Sequence, residues 1–89
     1  MKQLWEQVSF VMSSKYRKAV LEAIENPITP TQLKKKLNID KAHISRALDS
    51  LVKSKLAICL TPNAKKFKLY KISESGNKVL QQLNKLEIR

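Results

Sequence analysis

Apolar residues recur at spacings of three and four along most of this chain and close into short dense runs in one stretch only. Leu4, Trp5, Val8, Val11 and Met12 keep helical spacing and predict a short amphipathic helix. Ser13 or Ser14 can cap a second helix, in which Tyr16, Val20, Leu21 and Ile24 form the apolar stripe. The pattern leaves open whether these two helices are continuous. Asn26 before Pro27 ends the region, because the residue preceding proline is pushed out of the α basin. An extended link through Ile28 leads to Thr29-Pro30-Thr31-Gln32, a helix start with threonine at the cap, proline first and glutamine three residues after the cap. Leu33 and Leu37 then face inward, four residues apart. Asn38 interrupts the helix, since asparagine tolerates the left-handed turn conformation. Ile39 can plug inward and Asp40 can cap the next helix, which runs from Lys41 to about Lys53 with Ile44, Leu48 and Leu51 inside.

The period changes after Lys55. Leu56 to Thr61 and Phe67 to Ile72 read as two short strands, with Pro62 to Lys66 as the turn of a basic-tipped β-hairpin. Ser73 offers an N-cap, and Val79, Leu80, Leu83 and Leu86 form the stripe of a closing helix. The expected fold is mainly α with a small β-hairpin (α+β), in a winged helix-turn-helix order. At 89 residues the chain suits a single domain: residues 1–12 an N-terminal helix, 14–72 a winged-helix core, and 73–89 a C-terminal helix. That size leaves room for a modest core and not for a core plus a roomy enzyme cleft.

Charge sharpens this picture. The chain carries +11, and residues 34–71 hold 11 Lys/Arg against Asp40 and Asp49, so +9 falls in the segment containing the second helix of the pair and the hairpin. Such concentration is the footprint of a polyanion binder, because lysine and arginine displace condensed counterions from phosphates. A merely Lys-rich soluble surface is the competing explanation. No run approaches the ~20 apolar residues of a membrane span, and MKQLWEQ lacks a signal-peptide pattern, so a cytoplasmic protein with no membrane partner is expected. The single cysteine, Cys59, fits a reducing compartment and a small, buried, apolar role. Cys59 and His43 cannot make a metal set, and no cofactor is expected. Gly-rich phosphate loops, paired catalytic carboxylates and a Cys/His nucleophile pair are all missing, which argues against an enzyme.

The helix from Lys41 to Lys53 is placed to enter a major groove, which displays a distinct donor and acceptor pattern for each base pair. With Ile44 pointing inward, Ala42, Arg46, Asp49 and Lys53 point away from the core, flanked by Lys41, His43, Ser45 and Ser50. Arg46 is the candidate base or phosphate reader, Ser45 an adaptable hydroxyl, and Ala42 small enough for close backbone approach. The ordinary alternative for Arg46 is a solvated side chain paired with Asp49 or Ser50. Lys41 suits phosphate; His43 could touch phosphate or be an ordinary half-buried histidine. Asp49 suits orienting Arg46 more than direct contact. Lys65, Lys66 and Lys68, in the wing at residues 62–68, suit the phosphate backbone or a minor groove. Thr31 and Gln32 stand at a helix N-terminus, which favours phosphate. Among Lys34, Lys35 and Lys36, one must share a face with the apolar residues.

TPTQLKKKLNIDKAHISRALDSLVKSKLAICLTPNAKKFKLYKISESGNKVL resembles the winged-helix transcriptional regulators of archaea and their viruses, near the MarR/ArsR-like group, and SSKYRKAVLEAI resembles their first core helix. The resemblance covers about four-fifths of the chain. It implies that HISRALDSL is a recognition helix with Ser45 and Arg46 facing DNA, that Asn63 to Lys68 is the wing, and that members are homodimers joined through their terminal helices. Such proteins occupy promoter DNA. Two positions depart from the pattern: Asn38 and Lys55 stand where members often carry glycine, and the helix before Lys55 is expected to end differently. Metal sensing, known in some relatives, is not supported here. The expected partners are double-stranded DNA and a second copy of the chain, through Leu4, Trp5, Val8, Val11 and Met12 at one end and Leu80, Leu83, Leu86 and Ile88 at the other. A small-molecule effector is unmarked. The alternatives to sequence-specific regulation are a winged-helix protein-interaction module and a non-specific architectural DNA-binding protein.

Overall fold

The computed structural model of the chain describes residues 2–87. Its elements run α1 (Lys2–Met12), α2 (Lys15–Ala23), α3 (Pro30–Leu37), α4 (Lys41–Lys53), β1 (Ala57–Cys59), β2 (Tyr70–Ile72) and α5 (Glu74–Glu87). Local chemistry sets most of the helix ends. Helices α1 and α2 are separate, divided at Ser13 and Ser14. The Ser14 backbone is extended, and its hydroxyl accepts the Arg17 N–H at 3.3 Å. At α3 the expected capping box is complete: Gln32 N–H donates to Thr29 Oγ1 at 3.2 Å, and Thr29 N–H donates to Gln32 Oε1 at 3.0 Å. Asn38 closes α3 in the left-handed region, at φ 54° and ψ 47°. Asp40 stands at the N-cap of α4, but its side chain makes no capping hydrogen bond. Its carbonyl accepts the Ile44 N–H at 3.0 Å, so backbone alone starts the helix. All three lysines 34–36 are exposed, because in so short a helix Leu33 and Leu37 alone cover the inward face.

Helix α4 ends as a glycine-terminated helix would, despite the lysine. Lys55 takes φ 64°, its N–H donates to Val52 O at 3.0 Å, and Leu56 N–H donates to Leu51 O at 2.8 Å. These two bonds form a Schellman motif. The expectation of a different ending is therefore corrected: the pair of bonds and the burial of Leu56 hold the backbone where the residue type would not choose to go.

The strands are shorter than their apolar runs. β1 and β2 are antiparallel, with Ala57 opposite Ile72, Ile58 opposite Lys71 and Cys59 opposite Tyr70. Phe67, expected to open the second strand, instead has φ 56° and turns the chain. Two further bonds extend the closure, Leu60 N–H to Leu69 O at 2.8 Å and Leu69 N–H to Thr61 Oγ1 at 3.0 Å. The wing is thus a clasped loop wider than a two-residue point. On its other edge β2 meets the link before α3: Ile28 and Tyr70 exchange N–H···O bonds of 3.0 and 2.9 Å.

The core gathers the inward faces of α2, α3, α4 and α5 with Leu56 and Ile72 from the hairpin root. Helix α1 packs on α5 and α2. This corrects the expected dimer set, since Val8, Val11 and Leu83 are buried against the chain's own core and Leu4 packs partly against it. An amphipathic stripe needs an apolar neighbour, and here α5 supplies it to α1. Trp5 and Leu86 remain exposed, whereas Ile88 lies outside the described residues.

Candidate nucleic-acid interface

Helix α4 separates two different surfaces. On one side, a groove of about 490 Å³ runs between the start of α3, the first turns of α4 and the wing. Thr31, Lys41, Ser45, Lys65, Lys66 and Lys68 line it, so six of the ten expected DNA-contacting residues converge from three separate segments. Thr29 and Pro30 form the wall at the α3 N-terminus, where backbone N–H groups favour an anion. Four lysines face one groove, a site that suits a phosphate chain.

On the other side, α4 meets α2. His43 is half-buried, with its ring stacked on Tyr16 at 4.3 Å between centroids and 13° between planes. The stack matches the half-buried histidine that the sequence offers as the alternative to a phosphate contact. The two rings also border a cavity of about 500 Å³, completed by Lys15, Ala19, Asn38, Ile39 and Asp40. Arg46 is exposed beside a smaller cavity of about 260 Å³ that it shares with Arg17, His43 and Ser50. Arg46 and Ser45 therefore leave the helix toward opposite flanks, with the exposed Ala42 also on the outer side of α4. Gln32 is exposed but does not line the groove, and its amide oxygen is committed to the capping box.

Three residues of the region had no role in the sequence expectations. Arg17 donates through Nη1 to Phe10 O at 2.8 Å and Ser13 Oγ at 2.9 Å, and through Nε to Ser50 Oγ at 3.3 Å. Its guanidinium lies 4.0 Å from the centre of the Phe10 ring. It ties α1, α2 and α4 together and takes Ser50, which had been considered a partner for Arg46. Only the Ser13–Arg17 spacing of four foreshadows this link. Phe67 and Tyr70 both line the groove, although the apolar run assigned them simply to a strand. An aromatic set among lysines, KKFK, was the available signal. Tyr70 has its hydroxyl pushed above the ordinary tyrosine range, first by burial and then by Cys59 opposite it and by Asp49. It stays a neutral hydrogen-bond donor at the groove wall.

A short helix, a left-handed asparagine turn, a 13-residue helix and a hairpin reaching back over one groove define a winged helix-turn-helix protein. Among solved structures the chain is similar to MarR from E. coli in its apo form, with 31% identity over 99% of this chain and 67% of that one, and a TM-score of 0.79. The chain belongs to the MarR family. It is likewise similar to an E. coli MarR variant complexed with operator DNA, with 32% identity, 96% and 63% coverage of this chain and that one, and a TM-score of 0.74. A MarR family transcription regulator at 22% identity, covering 84% of this chain and 52% of that one, shares the fold with a TM-score of 0.76. The chain thus spans about half to two-thirds of the length of these proteins. No protein-family model matches it, and no curated protein does. Among the described residues no helix is long and apolar enough to cross a membrane, and no group of three or more His, Cys, Asp or Glu could hold a metal ion.

Proposed function

We propose that this chain is a sequence-specific binder of double-stranded DNA that regulates transcription in the cytoplasm, acting as a homodimer and not as an enzyme. The observation that carries the reading is the groove in which Thr31, Lys41, Ser45, Lys65, Lys66 and Lys68 converge beside α4. In this reading α4 lies in the major groove, the wing at residues 62–68 follows the adjacent backbone or minor groove, and Thr31 and Lys41 fix the register on phosphates. Arg46, with Ala42 beside it, reads base edges from the crest of the helix, and Ser45 contributes a hydroxyl from the groove side. The E. coli variant solved with operator DNA supports the same use of this fold.

Dimerisation uses the exposed apolar residues of the terminal helices, Trp5 and Met12 on α1 at 50% and 56% exposure and Leu86 on α5 at 39%, the two helices lying against each other. A two-fold axis there places two recognition helices about 34 Å apart, one turn of duplex. The test is selection of bound sequences from a random duplex pool by the full chain, followed by footprinting and by Arg46→Ala on selected and random duplexes. A two-fold-symmetric site is expected, with Arg46→Ala losing roughly 1–3 kcal/mol on that site alone. Equal loss on both duplexes would make Arg46 a phosphate contact, and no enriched sequence would sink the proposal.

A further inference from the structure

Phe67 combines two choices that folding alone disfavours. It is 79% exposed, the most exposed of the large apolar side chains described, and its backbone sits at φ 56°. A left-handed conformation strains a residue with a Cβ, and an aromatic ring gains nothing from water. Loop chemistry does not demand this ring: the wing is closed by Thr61, Leu60 and Leu69, and the ring covers none of the buried core. Strain held at an exposed position invites a functional explanation. The surroundings supply one. Phe67 lies between Lys66 and Lys68, with Lys65 two residues before it, and all four line the groove with Lys41 and Ser45.

We infer that Phe67 is a wedge that enters the minor groove of duplex DNA and partly unstacks a base step, bending the duplex while the flanking lysines hold its phosphates. The inference rests on the proposed DNA-binding reading and adds a specificity-determining residue to it. Apolar side chains that insert between base pairs unstack them and kink the duplex by tens of degrees. The ring carries no hydrogen-bonding group, so it cannot read base edges; it selects by how easily a step opens. Pyrimidine–purine steps such as TA and CA unstack most readily. A wing carrying this ring therefore prefers such a step at a fixed distance from the bases facing α4. The left-handed backbone serves the geometry, because it reverses the chain at the ring and leaves the ring protruding from the tip.

The test uses the full chain and a selected duplex of about 30 base pairs, carrying end dyes for energy transfer and a fluorescent purine analogue at the candidate step. Wild-type protein is expected to raise both signals. Phe67→Ala is expected to lose both, to lose about tenfold in affinity on the TA-containing duplex and little on one lacking the step, and to keep the salt dependence of binding. Phe67→Leu, still an apolar wedge, should retain part of the bend. Because the side chain is exposed, thermal melting confirms that the variants are folded. Equal bending by wild type and Phe67→Ala would overturn the wedge and leave DNA binding standing, as would preference of Phe67 for single-stranded over duplex DNA. Failure of wild-type protein to bind any duplex would overturn the DNA-binding reading itself.

Discussion

The two ends of the hairpin are built by opposite rules. At the root, Leu56, Ala57 and Ile72 are buried, and the Leu56 carbonyl accepts the Ser73 N–H at 3.0 Å. The Ser73 hydroxyl donates to Lys55 O at 2.7 Å and accepts from Gly76 N–H at 2.9 Å. These groups find their partners within the fold, and α5 lies directly on the backbone at Gly76. At the tip, Lys65, Lys66 and Phe67 are exposed, and the loop is held by a few bonds across Thr61 and Leu69. Both ends contain a non-glycine residue with positive φ, Lys55 and Phe67, yet only at the root does surrounding packing account for it. One hairpin can thus be anchored rigidly while presenting a surface whose composition is free to serve a ligand.

Gly76 should give the largest break in the comparison. A Cβ at this position would lie 2.1 Å from Leu56 O and 2.6 Å from Ile72 Cγ1. The first of these is backbone inside the root, so it cannot swing aside; α5 must lift, and the cap at Ser73 lifts with it. Gly76→Ala should destabilise the fold by roughly 3 kcal/mol or more, read as a fall in the urea midpoint. An unchanged midpoint would mean that the root tolerates separation from α5 and that its rigidity is not what anchors the wing.

The tip should show the reverse dependence. Replacing Lys65 and Lys66 together by alanine should leave the thermal midpoint within experimental scatter, since both side chains are exposed. Affinity should fall by a similar factor on every duplex, with the slope of log K against log salt reduced by about 2. Binding measured from low to moderate salt on one selected and one random duplex decides the matter. A loss confined to the selected duplex would assign these lysines to base reading.

What could be read from sequence follows the same division. The Thr29 capping box, the Asn38 turn and the span of α4 rest on interactions within four residues, and their chemistry is written locally. Burial of Val8 and Val11 was not legible in the same way: an amphipathic stripe looks identical whether α5 or a second chain covers it. The stack of His43 on Tyr16 joins residues far apart in sequence, and no spacing rule foretells it. The ten DNA-facing candidates rest on one helical wheel, a helix N-terminus and the lysines of the wing. Wheel geometry named outward positions on α4 correctly, but the side facing the wing depends on where the hairpin folds back. Phe67 was obscured because an apolar run suggests a strand until φ is known.

The two left-handed residues sharpen the contrast at smaller cost. Lys55→Gly and Phe67→Gly should each stabilise the fold by about 0.5–1 kcal/mol, because relief of a strained φ is partly offset by glycine's freedom in the unfolded chain. Chemical denaturation measures both. Their effects on DNA should part company: Lys55→Gly keeps the bend, and Phe67→Gly loses it. Equal loss of the bend in both would trace it to the placement of the whole hairpin.

The smallest effect lies between root and tip, at Tyr70, which pairs with Cys59 in the ladder and also lines the groove. Burial, Cys59 and Asp49 raise its pKa in the folded chain, so folding favours the neutral phenol. Well below the ordinary tyrosine value both folded and unfolded chains hold the proton, and this group places no pH dependence on stability. As pH rises through about 10 the unfolded chain releases the proton first, and stability falls until the folded chain also titrates. Tyr70→Phe removes the phenol while keeping the ring and the backbone pairing with Ile28. Its thermal midpoint should therefore decline less steeply than that of wild type between mildly alkaline pH and pH near 10.5. Groups common to the two proteins cancel in the difference. Parallel curves would mean that Tyr70 is hydrated like the tip and not held like the root, moving the boundary between anchored and presented backbone one residue pair toward α5.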